Sequence, residues 1–535
     1  MEIRKLLVAN RGEIAARVFA TCDRLGISTV AIAAPDDLGA LHTRRAGEVE
    51  DVPSYLDAEA IVAAAARSGT DAVHPGYGFL AETPGFAESV IAAGLRFVGP
   101  SPAALSASGD KLEAKRIAAE AGVPVVPTGE AEEIGFPLMV KAAGGGGGRG
   151  MRLVRRPDEL AEAVAAARRE AAAGFGDERV FCERYVERPR HVEIQLLADS
   201  HGTTVQLGER DCSVQRRHQK ILEESPSPAV GGELRAEMGD AAIAFARAVG
   251  YESAGTAEFM LADGAFFFLE LNARIQVEHP VTELVAGVDL VEQQLRIASG
   301  EPLDLAPREP QGHAVEARLY AEDPRTFLPR TGRIELLRLP DGIRVDQGVE
   351  VGDEIPVAYD PLIAKLIVHE ETREEALDAL GAALRQTDVR GVETNLPFLR
   401  WLVSHPELRA GQATTAFLDE NPPLSRPPVR RRPWAGGWRL NAPAPARSAP
   451  PTVEGAAHSD SVGSQSSLTA PMPGVVIRVL AREGERVAPR QPLLVLEAMK
   501  METPLVSPYE AVVRRVHVEE GERVAGGAVL VELEE

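Results

Sequence analysis

The carboxyl-terminal end of this chain repeats itself: residues 474–497 (GVVIRVLAREGERVAPRQPLLVLE) align without gaps on residues 511–534 (AVVRRVHVEEGERVAGGAVLVELE), 37 residues further on, with GERV identical in both. Each copy consists of short Val/Leu-rich runs broken by glycine, the pattern of a small all-β unit. One copy is too small to bury a core, so the two must pack together as a pseudo-twofold flattened barrel. Between them lies EAMKMETPLVSP, and the turn that joins two symmetry-related halves has to be exposed. Lys500 sits in that turn, between Met499 and Met501. A lysine on a hairpin is ordinarily a solvated surface charge. Here it coincides with the repeat symmetry, with the Met-Lys-Met tripeptide, and with a preceding segment, 441–467, of Ala, Pro, Ser and Gly with almost no large apolar side chains. That is a linker composition. As a flexible chain it has an end-to-end distance of about 30 Å and a reach of about 90 Å.

The chain is 535 residues long, too long for one hydrophobic core, so several domains are expected. Its 58 basic and 80 acidic residues leave a formal charge of −22, a surface that repels nucleic acid and anionic membranes. Neither is expected as a partner, and a phosphate-bearing substrate needs a local basic pocket. The three cysteines, Cys22, Cys182 and Cys212, are widely spaced and form neither a disulfide framework nor a CxxC metal site, which fits a reducing cytosol. MEIRKLLVAN is too short in its apolar run for a signal-peptide core, and no window reaches the roughly 18 apolar residues of a membrane span. A soluble cytoplasmic protein is expected.

Over the first hundred residues KLLVAN, GEIAARVFATCDRLG, STVAIAA, DAVHPG and LRFVGP alternate as strand, helix and strand, which predicts a parallel sheet with its ligand-facing loops at the strand carboxyl ends. Farther on, Lys141-Ala-Ala is followed by five glycines, Gly144 to Gly148, and by Arg149. No Gly-Lys-Ser/Thr closes it, so it is not a Walker A loop. So many consecutive glycines suit a lid whose amides close over phosphates, with Lys141 at its foot. TAEFMLADGAFFFLELNARIQVEHP reads as two strands joined at Ala262-Asp263-Gly264. A two-residue Asp-Gly turn would put Glu258 opposite Leu269. A three-residue loop with Gly264 left-handed would put Glu258, Glu270 and Asn272 on one face, and this is the loop we expect, because those three form an oxygen set suited to Mg²⁺ bound with ATP phosphates. In NARIQVEH, Arg274, Gln276 and Glu278 alternate by two and should share one side of an extended segment. Arg274 offers a forked donor for a planar anion and Glu278 can take its proton; a simple Arg274–Glu278 ion pair is the bland alternative.

Two resemblances follow. Residues 498–501 (Ala-Met-Lys-Met) match the signature of biotinyl carrier domains, which attach biotin to the lysine that is Lys500 here; lipoyl domains share the barrel but usually lack the methionine pair. Residues 1–430 resemble the ATP-grasp enzyme biotin carboxylase through ANRGEIA, HPGYGFLAE, KAAGGGGGRGM, ERDCSVQRRHQK and ELNARIQVEHPVTE. The fold implied is α/β: a Rossmann-like domain at 1–110, an ATP-grasp domain with its lid at 111–300, an α+β region at 301–430, a linker at 431–467 and a small all-β barrel at 468–535.

The resemblance places Lys111, Lys141 and the lid residues Gly145, Gly146 and Gly147 on ATP phosphates. It puts His191, Gln215 and His218 in the nucleotide site and makes 183–186, including Glu183 and Val186, the adenine-side hinge. Glu258, Glu270 and Asn272 hold Mg²⁺ or Mn²⁺. Lys220 and Arg344 surround bicarbonate with Arg274, Glu278, Gln276 and Val277, and Tyr77 and Gly78 hold the ureido ring of biotin. Arg184 stands where lysine is common, and 126–134 is shorter than usual. Bicarbonate deprotonated by Glu278 then attacks the γ-phosphate of ATP to give carboxyphosphate, whose CO₂ passes to biotin. Carboxylase, linker and carrier in one chain resemble the α subunit of acyl-CoA carboxylases, which implies an oligomer with a carboxyltransferase β subunit as partner and a biotin protein ligase to attach the cofactor. In some of these a docking domain precedes the carrier; 431–467 cannot hold it, and Trp434 and Trp438 read as a packed tail, with a minimal docking remnant as the alternative. An ATP-grasp ligase joining a carboxylate to an amine, with the barrel as passenger, is the other enzyme reading; a scaffold with a dead nucleotide domain is the non-enzymatic one.

Overall fold

The computed structural model describes residues 2–143, 151–175, 177–216, 219–305, 309–422, 467–471, 474–498, 501–524 and 527–534. Most of the linker expected at 431–467, Trp434 and Trp438 included, lies outside them. So do the lid residues Gly145, Gly146 and Gly147, His218, and Lys500. The chain divides into two compact units, a large one made mainly of residues 1–423 and a small one centred on the carboxyl-terminal repeat.

The large unit opens with a five-stranded parallel sheet in the order Glu48–Asp51, Ser28–Ala33, Lys5–Val8, Ala72–His74, Arg96–Phe97. Its central strands are buried on both faces, which is why they read as continuous apolar runs. The helix Gly12–Leu25 ends at Gly26 in the left-handed conformation and buries Ile14, Val18 and Phe19. These side chains share one core with Ile275, Leu290 and Leu295, so the NARIQVEH segment is packed against the first domain. A four-stranded sheet follows, ordered Thr128–Gly129, Val180–Arg184, Leu138–Ala142, Arg152–Val154. The largest sheet has eight strands: Ala265–Asn272, Ser253–Ala262, Arg190–Ala198, Thr204–Arg216, Gln219–Ser225, His313–Tyr320, Leu362–Glu370 and Arg344–Gln347, each antiparallel to its neighbours.

The hairpin 253–272 corrects one expectation. Ala262 pairs directly with Ala265, so the loop has two residues, and both Asp263 (φ 51°) and Gly264 (φ 78°) are left-handed. That is the turn an Asp-Gly pair favours. Glu258 nevertheless faces Glu270, because the register slips between Glu258 and Phe259 and leaves Leu269 as an extra residue. The slip is anchored from outside the hairpin: Phe268 N donates to Pro124 O at 2.8 Å. A bulge does what the longer loop was expected to do. Gly264→Ala places a Cβ on a left-handed residue and should cost about 1 kcal/mol, read as a lower urea midpoint with unchanged Mg·ATP affinity.

The small unit contains two four-stranded sheets, Ser467–Thr469, Val529–Glu534, Ala511–Val516, Arg486–Val487 and Met501–Val506, Pro492–Ala498, Gly474–Val479, Arg523–Val524. Each sheet borrows a short strand from the other copy of the repeat, so neither copy can complete a sheet alone. The symmetry extends to individual hydrogen bonds: Gly484 N donates to Val513 O, and its equivalent Gly521 N to Val476 O, both at 2.7 Å. It also reaches beyond the recognised repeat, since Leu468 pairs Val531 as Leu505 pairs Leu494. Ala498 pairs directly with Met501, so only Met499 and Lys500 separate the two strands at the junction of the halves.

Candidate active site

The interior-facing residues of the large sheet are charged where a core would be apolar. Lys220 lies at the centre: its ammonium donates to Glu258 at 2.9 Å and Glu278 at 2.6 Å, and also to Glu193. Three strands and a turn supply these groups, because Glu193 and Glu258 are cross-strand partners and Glu278 precedes the helix His279–Ala286. Glu278 has left the extended path of Asn272 to Gln276 and stands in the turn, which corrects the expectation that it continues their alternation. Arg318, from the strand His313–Tyr320, donates to the other Glu278 oxygen at 2.9 Å. Burial by itself would raise the Glu278 carboxyl; Lys220, Arg318 and Arg210 reverse that and hold it well below the usual carboxylate range. The group is therefore ionised and able to accept a proton.

Behind it, Arg210 is completely buried and fully engaged: Nε donates to Glu193 at 2.5 Å, and the two terminal nitrogens donate to Gln195, Thr282 and Thr256 at 2.7–3.0 Å. This fixes Glu193, which in turn fixes Lys220.

Arg274 makes no ion pair with Glu278. Its Nε donates to Glu82 at 2.8 Å, and its terminal nitrogens to Gln276 Oε1 at 3.0 Å and Asn272 Oδ1 at 3.1 Å. The shared side expected for 272, 274 and 276 is thus present. Glu258 and Glu270 stand opposite one another with Asn272 two residues on, and Lys111 Nζ lies 3.6 Å from Glu270. Two carboxylates and an amide oxygen on one strand pair match the donors a hard divalent cation takes. The Asn272 amide nitrogen is buried without a hydrogen-bond partner, so the side chain is held only through its oxygen, by Arg274.

Among the residues expected on the nucleotide, Glu183 receives both Lys115 and Lys141. Burial raises its carboxyl, but the two lysines overcome this and depress it. Gln215 Nε2 donates to His191 Nδ1 at 2.7 Å, and His191 Nε2 lies 3.0 Å from Glu258. Burial disfavours the imidazolium, yet the Glu258 carboxylate raises its pKa overall. Val186 follows the strand Val180–Arg184 in the connecting loop.

A third cluster carries the residues expected to meet biotin. Tyr77 OH donates to Glu13, whose carboxylate lies 3.2 Å from Lys365 Nζ; that ammonium also donates to Val277 O at 2.9 Å. Gly76, just before Tyr77 and Gly78, is left-handed (φ 62°), and a Cβ there would meet Asn10 Nδ2 at 2.7 Å. Arg344 donates to Glu283 and Asp346 at 2.7–3.0 Å. Sequence reading missed Glu13, Glu82, Lys115, Glu193, Arg210, Arg318 and Lys365. The available signal was charge at inward positions of apolar strands, as in HAVEARLY.

Comparison with known families agrees in order along the chain. Residues 2–105 match the model described as "Biotin carboxylase, N-terminal domain", 110–306 "Carbamoyl-phosphate synthase L chain, ATP binding domain", 316–420 "Biotin carboxylase C-terminal domain" and 466–533 "Biotin-requiring enzyme". The chain is similar to the biotin carboxylase of Halalkalibacterium halodurans, 46% identical over 439 residues, 78% of this chain and 97% of that protein. The chain belongs to the biotin carboxylase family. It is also 48% identical over 443 residues to the mitochondrial methylcrotonoyl-CoA carboxylase subunit alpha of rice, covering 78% of this chain but only 60% of that relative. Among solved structures, the biotin carboxylase domain of the Hydrogenobacter thermophilus 2-oxoglutarate carboxylase, crystallised with MgADP, ADP and bicarbonate, matches with a TM-score of 0.77 at 42% identity, over 79% of this chain and 98% of that one. Within this family setting the Lys220–Glu278 cluster and the Glu258–Glu270 pair belong to one ATP-grasp core. Among the described residues no helix is long and apolar enough to cross a membrane.

Proposed function

We propose that this chain is the α subunit of a biotin-dependent acyl-CoA carboxylase: it uses ATP and bicarbonate to carboxylate biotin attached to Lys500, for delivery to an acyl-CoA on a separate carboxyltransferase β subunit. The observation that carries the reading is Glu278, an ionised carboxylate held between Lys220 and Arg318, with Lys220 also bonded to Glu258 of the Glu258–Glu270 pair. Glu278 takes the proton of bicarbonate, whose oxyanion attacks the γ-phosphate of ATP; the products are ADP and carboxyphosphate. Arg274 and Lys220 balance the anionic charge, and Lys111, Lys141, Lys115 and His191 hold the nucleotide. Glu258, Glu270 and Asn272 would hold Mg²⁺, which supplies charge neutralisation on the phosphates. Biotin, when bound, supplies the ureido nitrogen that takes up the carboxyl group, near Tyr77, Gly78 and Arg344.

The repeat symmetry and the Ala-Met-Lys-Met segment support Lys500 as the attachment site, and the composition of 441–467 supports a tether with an effective concentration near about 1 mM. A biotin protein ligase would load it. The three unpaired cysteines support a reducing compartment, the cytoplasm. The decisive assay is phosphate release by the biotinylated chain with ATP, Mg²⁺ and bicarbonate, with Lys500→Ala as control. Biotin-dependent release that Lys500→Ala loses, and added free biotin restores, is the expected result. Release that follows an added amine and ignores biotin would overturn it in favour of a carboxylate–amine ligase. Assaying the complex against a panel of acyl-CoAs identifies the acceptor.

A further inference from the structure

One pair of carboxyl groups near the base has no place in the reaction above. Glu223, on the strand Gln219–Ser225, and Glu316, on His313–Tyr320, are direct cross-strand partners, and both are fully buried at 0% exposure. None of their four carboxyl oxygens accepts a hydrogen bond from any described residue. Among the described residues the cation at ion-pair distance from the pair is Arg318, whose Nη2 lies 2.6 Å from Glu223 Oε1. The same nitrogen donates to Glu278 at 2.9 Å. A single guanidinium nitrogen thus stands between the pair and the catalytic base.

We propose that Glu316 retains a proton while Glu223 is ionised, and that the pair acts through Arg318 as a positioning unit that sets the basicity of Glu278. Two ionised carboxylates facing each other in a dry interior repel strongly, and one proton removes the repulsion by letting a neutral carboxyl lie against its charged partner. The surrounding charges support that state. Lys220 and Arg318 face Glu223; Lys365, Arg318 and Glu278 face Glu316. Cys212, on the neighbouring strand, stays a thiol, its pKa pushed well up by burial and then by Glu193. His279, at the start of the helix packed over this face, is held neutral by burial and by Lys365. Burial raises both carboxyls; Arg318 limits Glu223 to about 7, whereas Glu316 goes well above the ordinary range despite Lys365.

The coupling has a definite sign. While Glu223 is ionised it shares the charge of Arg318, which weakens the hold of Arg318 on Glu278 and keeps that carboxylate the stronger base. By reciprocity the Glu278 charge raises Glu223, as its surroundings require. The inference rests on Glu278 being the base, and its test separates the two ideas.

Infrared spectra of the full biotinylated chain at mildly alkaline pH should contain a deuterium-sensitive protonated-carboxyl stretch that Glu316→Gln abolishes. In phosphate-release assays at mildly alkaline pH, Glu223→Gln should lower kcat by about tenfold with KM for ATP unmoved, and should lose the fall in kcat that the wild type shows as Glu223 takes up a proton near neutral pH. Glu316→Gln, a mimic of the protonated acid, should keep a profile of wild-type shape. Absence of the stretch in the wild type, its persistence in Glu316→Gln, or a Glu223→Gln profile that still falls near neutral pH as the wild type's does would each overturn the proposal. If the wild type shows the stretch but no bicarbonate-dependent release, the assigned reaction fails and the proton-sharing pair stands as structural, which also overturns its positioning role.

Discussion

Replacing Glu278 by glutamine should reduce bicarbonate-dependent phosphate release by about 10²–10⁴-fold while leaving Mg·ATP affinity within a factor of a few. Glutamine keeps the size, but its single acceptor oxygen can replace only one of the two that receive Lys220 and Arg318, and it cannot accept the bicarbonate proton. The fold should tolerate the change, because each cation keeps another anionic neighbour: Lys220 retains Glu193 and Glu258, and Arg318 retains Glu223. The residues proposed to hold the nucleotide, Lys111, Lys115, Lys141 and His191, pair with Glu270, Glu183 and Glu258 in the described contacts and not with Glu278. Steady-state kinetics with a parallel nucleotide-binding titration separate the two effects. Turnover near that of the wild type would place the base elsewhere. A matching loss of nucleotide affinity would mean that Glu278 holds the cleft together, and that its loss is not a loss of proton transfer.

How far the sequence discloses such a site depends on whether function coincides with a local pattern. Glu258, Glu270 and Asn272 were legible as one face because strand alternation is local, yet the hairpin reaches that face by a route the sequence does not announce. The Asp263-Gly264 dipeptide dictates its own two-residue turn, and the compensating bulge depends on Pro124, far away in the chain. The carrier repeat was legible because duplication is visible in letters; the exchange of short strands between its halves was not, since no single copy encodes it. Lys220 was placed by resemblance, and Glu278 by an alternation with Arg274 and Gln276 that the turn before the helix His279–Ala286 breaks. What surrounds them, Glu193, Arg210 and Arg318, comes from three strands and becomes meaningful only when those strands are registered side by side. Arg274 shows the reverse case: the Asn272, Arg274, Gln276 alternation held, but its ion-pair partner is Glu82, almost two hundred residues earlier.

Arg210→Leu should destabilise the large unit by about 3–5 kcal/mol, among the largest effects expected of any substitution outside the apolar core. The guanidinium is inaccessible to water and its hydrogen-bond partners are Glu193, Gln195, Thr256 and Thr282. Leucine replaces none of these bonds. Glu193, also at 0% exposure, would keep Lys220 as its sole cationic partner at hydrogen-bonding distance, and three further acceptors would be stranded in the interior. Most of the cost is therefore that of orphaned polar groups, since an apolar side chain of similar reach still fills part of the space. The double variant with Glu193→Gln distinguishes this from a cavity effect. If the penalty is the unpaired carboxylate, removing its charge should return about 1–2 kcal/mol in a double-mutant cycle read by urea denaturation. If the penalty is lost packing, the two substitutions should add. Recovery of stability without recovery of turnover is the expected pairing, because Glu193 is also what holds Lys220 against Glu278, and glutamine there leaves the ammonium free to move off the base.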